Sequence, residues 1–594
     1  MDGRQIESDI CVNALRESMN GVLRMRVIPE NWRKIKTVLI PKNNKPKYNE
    51  FRPIALTGVA YKLFMSIIKD NILKHVKRNR KLSVFQAGFT EGRRIEDCLF
   101  IFNYCIKESF RQKKSLIVTA IDFSKAFDSI KREKLVACLK KLKCDEDVID
   151  VLTKVYTNDS TDLWLNGREI GSVNVSSGIK QGCTVSLLLF ILLINSLIEE
   201  VEKEDLGFKN EKIFVPVLFF ADDGLLLTES VDEMKILIEM VEKKGKEIGL
   251  EINRNKSMAM IYNMNDKPVE INGIIVKSAF KYLGLTINDS INCFKLHKEK
   301  KLKDMEKMAN ITYSVIAKSC NRLMMGKAYW KNAVMPSLMY GESVLTWNKD
   351  EIERIDRTEN AVWRKILGAP GYTPIAAMRG DIRCISMIAR DMKVKLSFAK
   401  YLMNAENEML REIFRDMLEE NRDKLVKIMN DYLHILGIGN MEELNEMSKG
   451  MIVKLIEEYD ECKWKEDLDR RSTLKIYQEF KREKREEKFY DNTEESVIMF
   501  KARSNCLKLN WRLHFENGDV NCKLCNADYE ETIEHFLMDC MSLNEVREEY
   551  GMINRKVEEV LLFVEGINES KAKKYIKALW KRRAQILSRN EEHG

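Results

Sequence analysis

Two adjacent aspartates, Asp222 and Asp223, constrain this chain more than any other feature. They lie between apolar runs in Phe219-Phe220-Ala221-Asp222-Asp223-Gly224-Leu225-Leu226-Leu227. Val217–Phe220 has the apolar and aromatic content of a strand, residues 225–228 have it more weakly, and the Ala-Asp-Asp-Gly between them reads as a tight hairpin turn. Desolvating unpaired charge is costly, so a carboxylate pair amid buried strands calls for a partner. Clustered carboxylates suit a hard divalent cation, typically magnesium. The same stretch also reads as a solvated hairpin tip. A third carboxylate and a nucleotide pocket elsewhere in the chain would decide between the two.

The chain has 594 residues, more than one core usually serves, so three or four folding units are expected. Its 100 basic and 91 acidic residues leave a net charge of +9, which permits a polyanionic partner without demanding one. Fourteen cysteines are scattered mostly singly, and the first ten residues are polar and acidic rather than a secretory leader. A reduced intracellular chain, in cytoplasm and nucleus, is therefore expected, with any cysteine cluster a metal site rather than a disulfide. The longest apolar run, residues 187–194, falls short of the roughly 20 residues a bilayer requires. No membrane partner is expected.

Residues 1–35 read as amphipathic helix, with Ile6, Ile10, Val12, Leu15 and Met19 apolar. Residues 38–42 read as a strand ending in a basic loop, and a helix is expected from about Val59 to His75. The cluster Lys77-Arg78-Asn79-Arg80-Lys81 reads either as a solvated helix end or as a phosphate contact. Gln86-Ala87-Gly88-Phe89-Thr90-Glu91-Gly92-Arg93-Arg94 has the glycines and arginines of a loop lying against phosphates. Residues 116–121 form a nearly continuous apolar strand, buried on both faces by its pattern. That strand runs into Asp122-Phe123-Ser124-Lys125-Ala126-Phe127-Asp128, where Asp122 suits either a metal ligand or a helix N-cap. A hairpin is expected at Asn166-Gly167, a glycine-rich loop at residues 177–184 before an apolar helix, a helix over residues 232–248, and one strand over residues 280–287.

Taken together, seven stretches over residues 36–290 resemble, in order, the polymerase domain of reverse transcriptases encoded by non-LTR (LINE-type) retrotransposons. They are Phe51-Arg52-Pro53-Ile54; Gln86-Ala87-Gly88-Phe89; residues 120–128; Gly178-Ile179-Lys180-Gln181-Gly182-Cys183; Phe220-Ala221-Asp222-Asp223; Gly249-Leu250-Glu251-Ile252-Asn253 with Lys256-Ser257; and Tyr282-Leu283-Gly284. The resemblance implies an α+β right-hand polymerase of fingers, palm and thumb. It implies that Asp122, Asp222 and Asp223 bind two magnesium ions and that Phe127 discriminates against a 2′-hydroxyl. It further implies that Gln181 contacts the incoming nucleotide, with Arg52 and Lys256 near its phosphates. An RNA template, a DNA primer and deoxynucleoside triphosphates are the implied partners. The chemistry agrees: attack of a primer 3′-oxygen on an α-phosphate suits two metals about 4 Å apart, and Lys256 could protonate the departing pyrophosphate. After Gln-Gly-Cys this family usually continues Pro-Leu-Ser-Pro; here Thr184-Val185-Ser186-Leu187 follows, with Thr184 able to serve as N-cap.

Residues 336–341 and 363–370 resemble LINE-type thumb sequence, and Lys295, Lys298, Lys300, Lys301, Lys303 and Lys307 suit a duplex backbone or a solvated helix face. The expected domains are an N-terminal helical segment (1–35), fingers and palm (36–290), thumb (291–400), a charged helical connector (401–500), a zinc-knuckle region (501–545) and a basic C-terminal helix (546–594). Within the connector, residues 481–488 read as a solvated helix or linker. Cys522, Cys525, His535 and Cys540 follow the spacing C-x2-C-x9-H-x4-C, a closed tetrahedral shell for structural zinc, similar to the CCHC knuckle of the same elements. Cys506 and His514 are read as non-ligands. Lys571, Lys573, Lys574, Lys577, Lys581, Arg582 and Arg583 with Tyr575 and Trp580 suit RNA binding or a solvated amphipathic helix.

Retroelements of this kind usually carry an endonuclease, and none is expected in this chain. A separate endonuclease or a retroelement RNA-binding protein is then a further expected partner. Two functions compete: an RNA-templated DNA polymerase, favoured by the intact aspartates, and a catalytically inactive nucleic-acid-binding remnant, favoured by the departures at Thr184 and Leu187.

Overall fold

The computed structural model describes residues 9–593 apart from 48–49, 79–81, 158, 318, 320, 517 and 526–527. Ile6 and the Asn79-Arg80-Lys81 part of the basic cluster lie outside the described residues. The chain forms two compact units: Met1–His297 with Leu402–Glu420, and Lys298–Tyr401 with Asn421–Gly594. Among the described residues, no helix is long and apolar enough to cross a membrane.

The first unit opens with helix α1 (Asp9–Met25), which buries Met19 and Val22 while Val12, expected on the apolar face, is 49% exposed. Strands β1 (Lys34–Pro41) and β2 (Phe51–Leu56) pair antiparallel, and β1 pairs parallel with β3 (Ser160–Leu165). β3 returns as β4 (Arg168–Asn174) through Asn166-Gly167, whose φ values of 49° and 80° are those of the predicted tight hairpin.

A second sheet carries the aspartates. Its centre is β5 (Leu116–Ile121), with five of its six residues buried as the apolar run requires. β6 (Val217–Phe220) and β7 (Asp223–Thr228) form the hairpin, β7 pairs antiparallel with β5, and β8 (Met258–Tyr262) covers the other edge of β5. Two helices pack here: α2 (Ile95–Gln112), amphipathic and largely buried, and α3 (Val231–Ile248), capped by Ser230 and ended by the left-handed Gly249. The stretch expected as one strand over residues 280–287 is instead a hairpin, Ala279–Tyr282 with Leu285–Asn288. Leu283 and Gly284 turn with φ of 45° and 83°, and the apolar run continues on both sides of the turn, which hid it.

Helix Glu408–Glu420 belongs to this unit because it packs on α2. Tyr104 Oη donates to Asp416 at 2.7 Å, Phe100 meets Phe414 edge-on at 6.5 Å, and the nearby Asn407 Nδ2 donates to Val84 O at 2.9 Å.

The second unit is helical. Residues 481–488 form no helix, and Arg482, Glu483, Arg485, Glu486 and Lys488 are exposed as a linker's would be; Lys481, however, is 2% exposed and pairs with Glu487 and, at 3.5 Å, with Asp381, while Lys484 pairs with Asp460. Alternating charge in sequence resembles a surface helix, but Lys481 and Lys484 reach acids on other helices.

One contact in the first unit admits no side chain. A Cβ on Gly88 would lie 2.1 Å from Ala221 N and 2.7 Å from the Phe220 carbonyl carbon, both backbone atoms. Gly88→Ala is therefore expected to lower stability by about 1–3 kcal/mol. Urea unfolding checks this, and an unchanged midpoint would refute the close approach.

Candidate active site

Strand register brings the three aspartates together. Ile121, the last residue of β5, pairs with Gly224, and Phe220 pairs with Asp223. Asp122 therefore leaves β5 beside Asp223, and Asp222 sits in the turn with Ala221. Asp223 and Gly224, expected within the turn, are already part of β7. Asp122 is not a helix N-cap, because the next helix, Ala126–Ser129, is preceded by Lys125. Its backbone is instead tied to residues 251–257: Asp122 N donates to Ser257 Oγ at 3.1 Å, and Asn253 N donates to Asp122 O at 2.8 Å.

The turn is held by the stretch expected to face phosphates. Ala221 is left-handed at φ 60°, an arrangement a non-glycine residue keeps only when its surroundings impose it. Gln86 is fully buried, and its Oε1 accepts from Ala221 N at 3.1 Å and from Gly88 N at 2.9 Å. Backbone bonds Ala87 N to Phe219 O and Phe219 N to Phe85 O, both 2.8 Å, fasten the same stretch along β6. Arg93 is committed to structure too, donating to Ser83 O and Gln86 O at 2.6 and 2.5 Å.

Burial raises the pKa of every member of the triad. For Asp122, burial acts first, Lys256 and Lys42 oppose it, and Asp222 adds repulsion. Asp222 is raised by burial and eased by Arg52. Asp223 goes furthest, pushed up to about 6 by burial and then by repulsion from Asp222 and Asp122. Arg52 and Lys256, both exposed, thus stand near the triad. So does Lys42, which spacing offered only as the end of a basic loop.

Gln181 and Phe127 lie on segments stitched to one another and to β2, the strand of Arg52. Ala55 N donates to Gln181 O at 2.7 Å and Ile179 N to Phe127 O at 2.9 Å. Gly178 and Gly182 are left-handed, at φ 77° and 108°, and a Cβ on either would meet a carbonyl oxygen at 2.6 Å. Beneath this loop, Lys180 pairs with buried Asp159 at 3.0 Å, and Arg132 donates to Asp159, Tyr156 O, Val175 O and Gly178 O. Nothing in the spacing singled out Asp159 or Arg132. Phe127 is half-buried and stacks on buried Phe190 at 4.4 Å. Thr184 does not cap the following helix, Ser186–Lys203. Val185 takes the cap position, and Ser186 N is satisfied by Cys183 O at 3.2 Å.

In the second unit Cys522, Cys525, His535 and Cys540 converge, their ligand atoms all within 4.8 Å of one another. The cluster could hold a metal ion, and neither Cys506 nor His514 belongs to it. The C-terminal region contains Asn544–Glu549, Val557–Leu562 and Glu569–His593 rather than one helix. Its cations are largely engaged: Lys573 with Asp491 and Glu569, Lys577 with Glu494 and Glu495, Arg582 with Glu545 and Arg583 with Glu531. Tyr575 is fully buried. These four cations hold the helix down, while Lys574 and Lys581 are exposed. Among the lysines expected to meet a duplex, Lys298 is likewise bound to Thr346 O and Glu351.

With this geometry in place, residues 40–287 match the family model of the reverse transcriptase (RNA-dependent DNA polymerase). The chain is 25% identical over 268 residues to the Retrovirus-related Pol polyprotein from type-1 retrotransposable element R2 of Nasonia vitripennis, which covers 44% of this chain and 25% of that one. It is 24% identical over 388 residues to the Probable RNA-directed DNA polymerase from transposon BS of Drosophila melanogaster, covering 61% of this chain and 41% of that one. A telomerase structure from Candida albicans aligns at 13% identity over 75% of this chain and 68% of that one, with a TM-score of 0.37, too low to carry an argument. The first unit is thus built around a reverse transcriptase domain. That domain is of the non-LTR retrotransposon kind. The chain spans between about a quarter and two fifths of these two curated relatives.

The shift on Asp223 sets a pH dependence. A carboxyl raised from about 4 in the unfolded chain to about 6 leaves the folded state holding more protons in between, so stability falls as pH rises through that window. In metal-free buffer, Asp223→Asn should match wild type near pH 4 and exceed it above pH 6, read as thermal midpoints. The same difference at both pH values would contradict the repulsion.

Proposed function

We propose that this chain is an RNA-directed DNA polymerase, extending a primer 3′-hydroxyl with deoxynucleoside triphosphates on an RNA template. The observation that carries the reading is the convergence of Asp122, Asp222 and Asp223 at one end of a sheet, where burial and mutual repulsion disfavour their ionisation. A donor set of carboxylate oxygens in that state fits hard divalent cations. Magnesium bound there as two ions would make the 3′-hydroxyl more acidic and neutralise charge developing on the phosphoryl and leaving groups.

The remaining roles fall to side chains around the triad. Arg52 and Lys256 orient the triphosphate, and Lys256 delivers a proton to the departing pyrophosphate. Phe127, braced by Phe190, walls off a 2′-hydroxyl, and Gln181 contacts the incoming nucleotide. Residues 36–290 then act as fingers and palm and residues 291–400 as thumb. The matches to an RNA-dependent DNA polymerase family and to a transposon polymerase support this reading.

Primer extension on poly(rA) with oligo(dT) and magnesium tests it. Wild type is expected to add deoxythymidylate, and Asp222→Asn with Asp223→Asn to lose about 100-fold or more. Binding of the primed template without nucleotide addition, with magnesium or manganese, would instead identify a catalytically inactive nucleic-acid-binding remnant.

We further propose that Cys522, Cys525, His535 and Cys540 form a structural zinc knuckle. Cys522 and Cys540 Sγ are 3.8 Å apart and Cys525 Sγ is 3.5 Å from His535 Nε2. Zinc–sulfur bonds of about 2.3 Å at a tetrahedral angle require sulfurs about 3.8 Å apart. Elemental analysis should find one zinc per chain. Cys525→Ser or strong chelation should remove it and lower the thermal midpoint, because such binding adds directly to folding free energy. A metal-free protein of equal stability would refute the knuckle.

A further inference from the structure

The second unit holds a cavity of about 910 Å³ whose lining includes Arg364, Arg471, Lys508 and Arg512 and no aspartate or glutamate. Several other cations of this unit are matched with acids, as Lys573, Lys577, Arg582 and Arg583 are in the C-terminal helix. Here Arg471 has Asp467 at 3.7 Å, but Arg364, Lys508 and Arg512 have no carboxylate within ion-pair distance among the described residues. Arg364 Nη2 makes one long bond of 3.4 Å to Thr373 O, and its Nε is buried without a hydrogen-bond partner. Arg512 Nη1 donates to Asn505 O at 3.1 Å, and its guanidinium lies 3.8 Å from the ring centroid of Tyr372, which is still 44% exposed.

Gathering like charges in one concavity is unfavourable unless an anion resolves it. We propose that this cavity binds the phosphodiester backbone of a single nucleic-acid strand, with Tyr372 stacked on Arg512 as a platform for a base. Cations along a groove with an aromatic face are the combination that takes single strands without regard to sequence. Arg364 and Arg512 offer planar forks to phosphate oxygens, and Lys508 adds a point charge at the rim. The site is assembled from four separated segments: the last turn of helix Lys349–Leu367, residues 371–375, residues 471–473 and residues 504–513. The identity of the anion as nucleic acid rests on the polymerase reading, but binding is measured without nucleotides or metal and stands or falls separately.

The test is fluorescence anisotropy of labelled single-stranded RNA and DNA of mixed sequence, across a salt series, with the full chain and with Arg364→Gln/Lys508→Gln/Arg512→Gln. Loss of three phosphate contacts should weaken binding about tenfold or more and reduce the slope of log affinity against log salt by about 2. Which strand loses more identifies RNA or DNA as the ligand. Lys508→Gln alone, at an exposed position that threatens no packing, should reduce the slope by about 0.7. If the folded triple variant, or Lys508→Gln where the triple variant does not fold, keeps wild-type affinity and slope for both strands, the proposal is overturned. It is equally overturned if only binding of a control phosphopeptide is lost.

Discussion

Three carboxylates brought to one end of a sheet repel one another, and much of the first unit is arranged to keep them there. The central restraint is the Gln86 carboxamide, whose single oxygen accepts from the backbone of both Gly88 and Ala221. That bond holds Ala221 in a left-handed conformation, which lets the hairpin reverse in two residues and puts Asp222 and Asp223 at the sheet's end. A carboxylate at position 86 would accept as well but would add a buried negative charge beside Asp222. A neutral amide restrains the turn without raising the repulsion it must withstand.

The same logic recurs behind the Gly178–Gly182 loop. Asp159 is buried and takes both Lys180 and Arg132, and Arg132 also satisfies several loop carbonyls. Removing one partner from such a set leaves an uncompensated buried charge, which costs far more than the set contributes when whole. Side chains that meet solvent, Arg52, Gln181 and Lys256, are thus carried on a backbone fixed by groups that do not.

The second unit buries charge more freely. Lys395 is fully buried between Asp391 and Glu342, and Glu342 accepts from Trp347 Nε1 at 2.6 Å. Glu359 accepts from Trp330 Nε1 at 2.8 Å and from Arg390. Mixed charge along residues 481–488 matched the exposure of most of the segment but hid that Lys481 and Lys484 turn inward. A lysine's long stem lets it reach an acid many residues away, and nothing local records that reach.

Much of the candidate site was legible in the sequence. Asp122 follows a run that only a buried strand explains, Asp222 and Asp223 lie between strands, and the cysteine and histidine spacing anticipated the cluster the fold assembles. These signals are local, because strand burial, hairpin turns and metal-ligand spacing each leave a pattern within a few residues. Tertiary structure alone decided that Gln86 serves the aspartate turn, that Asp159 and Arg132 underlie Gln181, and that Lys573, Lys577, Arg582 and Arg583 of the last helix are paired internally. It also decided that Arg364, Lys508 and Arg512 face one cavity without acids. Each of those outcomes depends on which charged or polar groups meet across long stretches of chain, and electrostatic pairing at a few ångströms has no periodicity from which a sequence could foretell it.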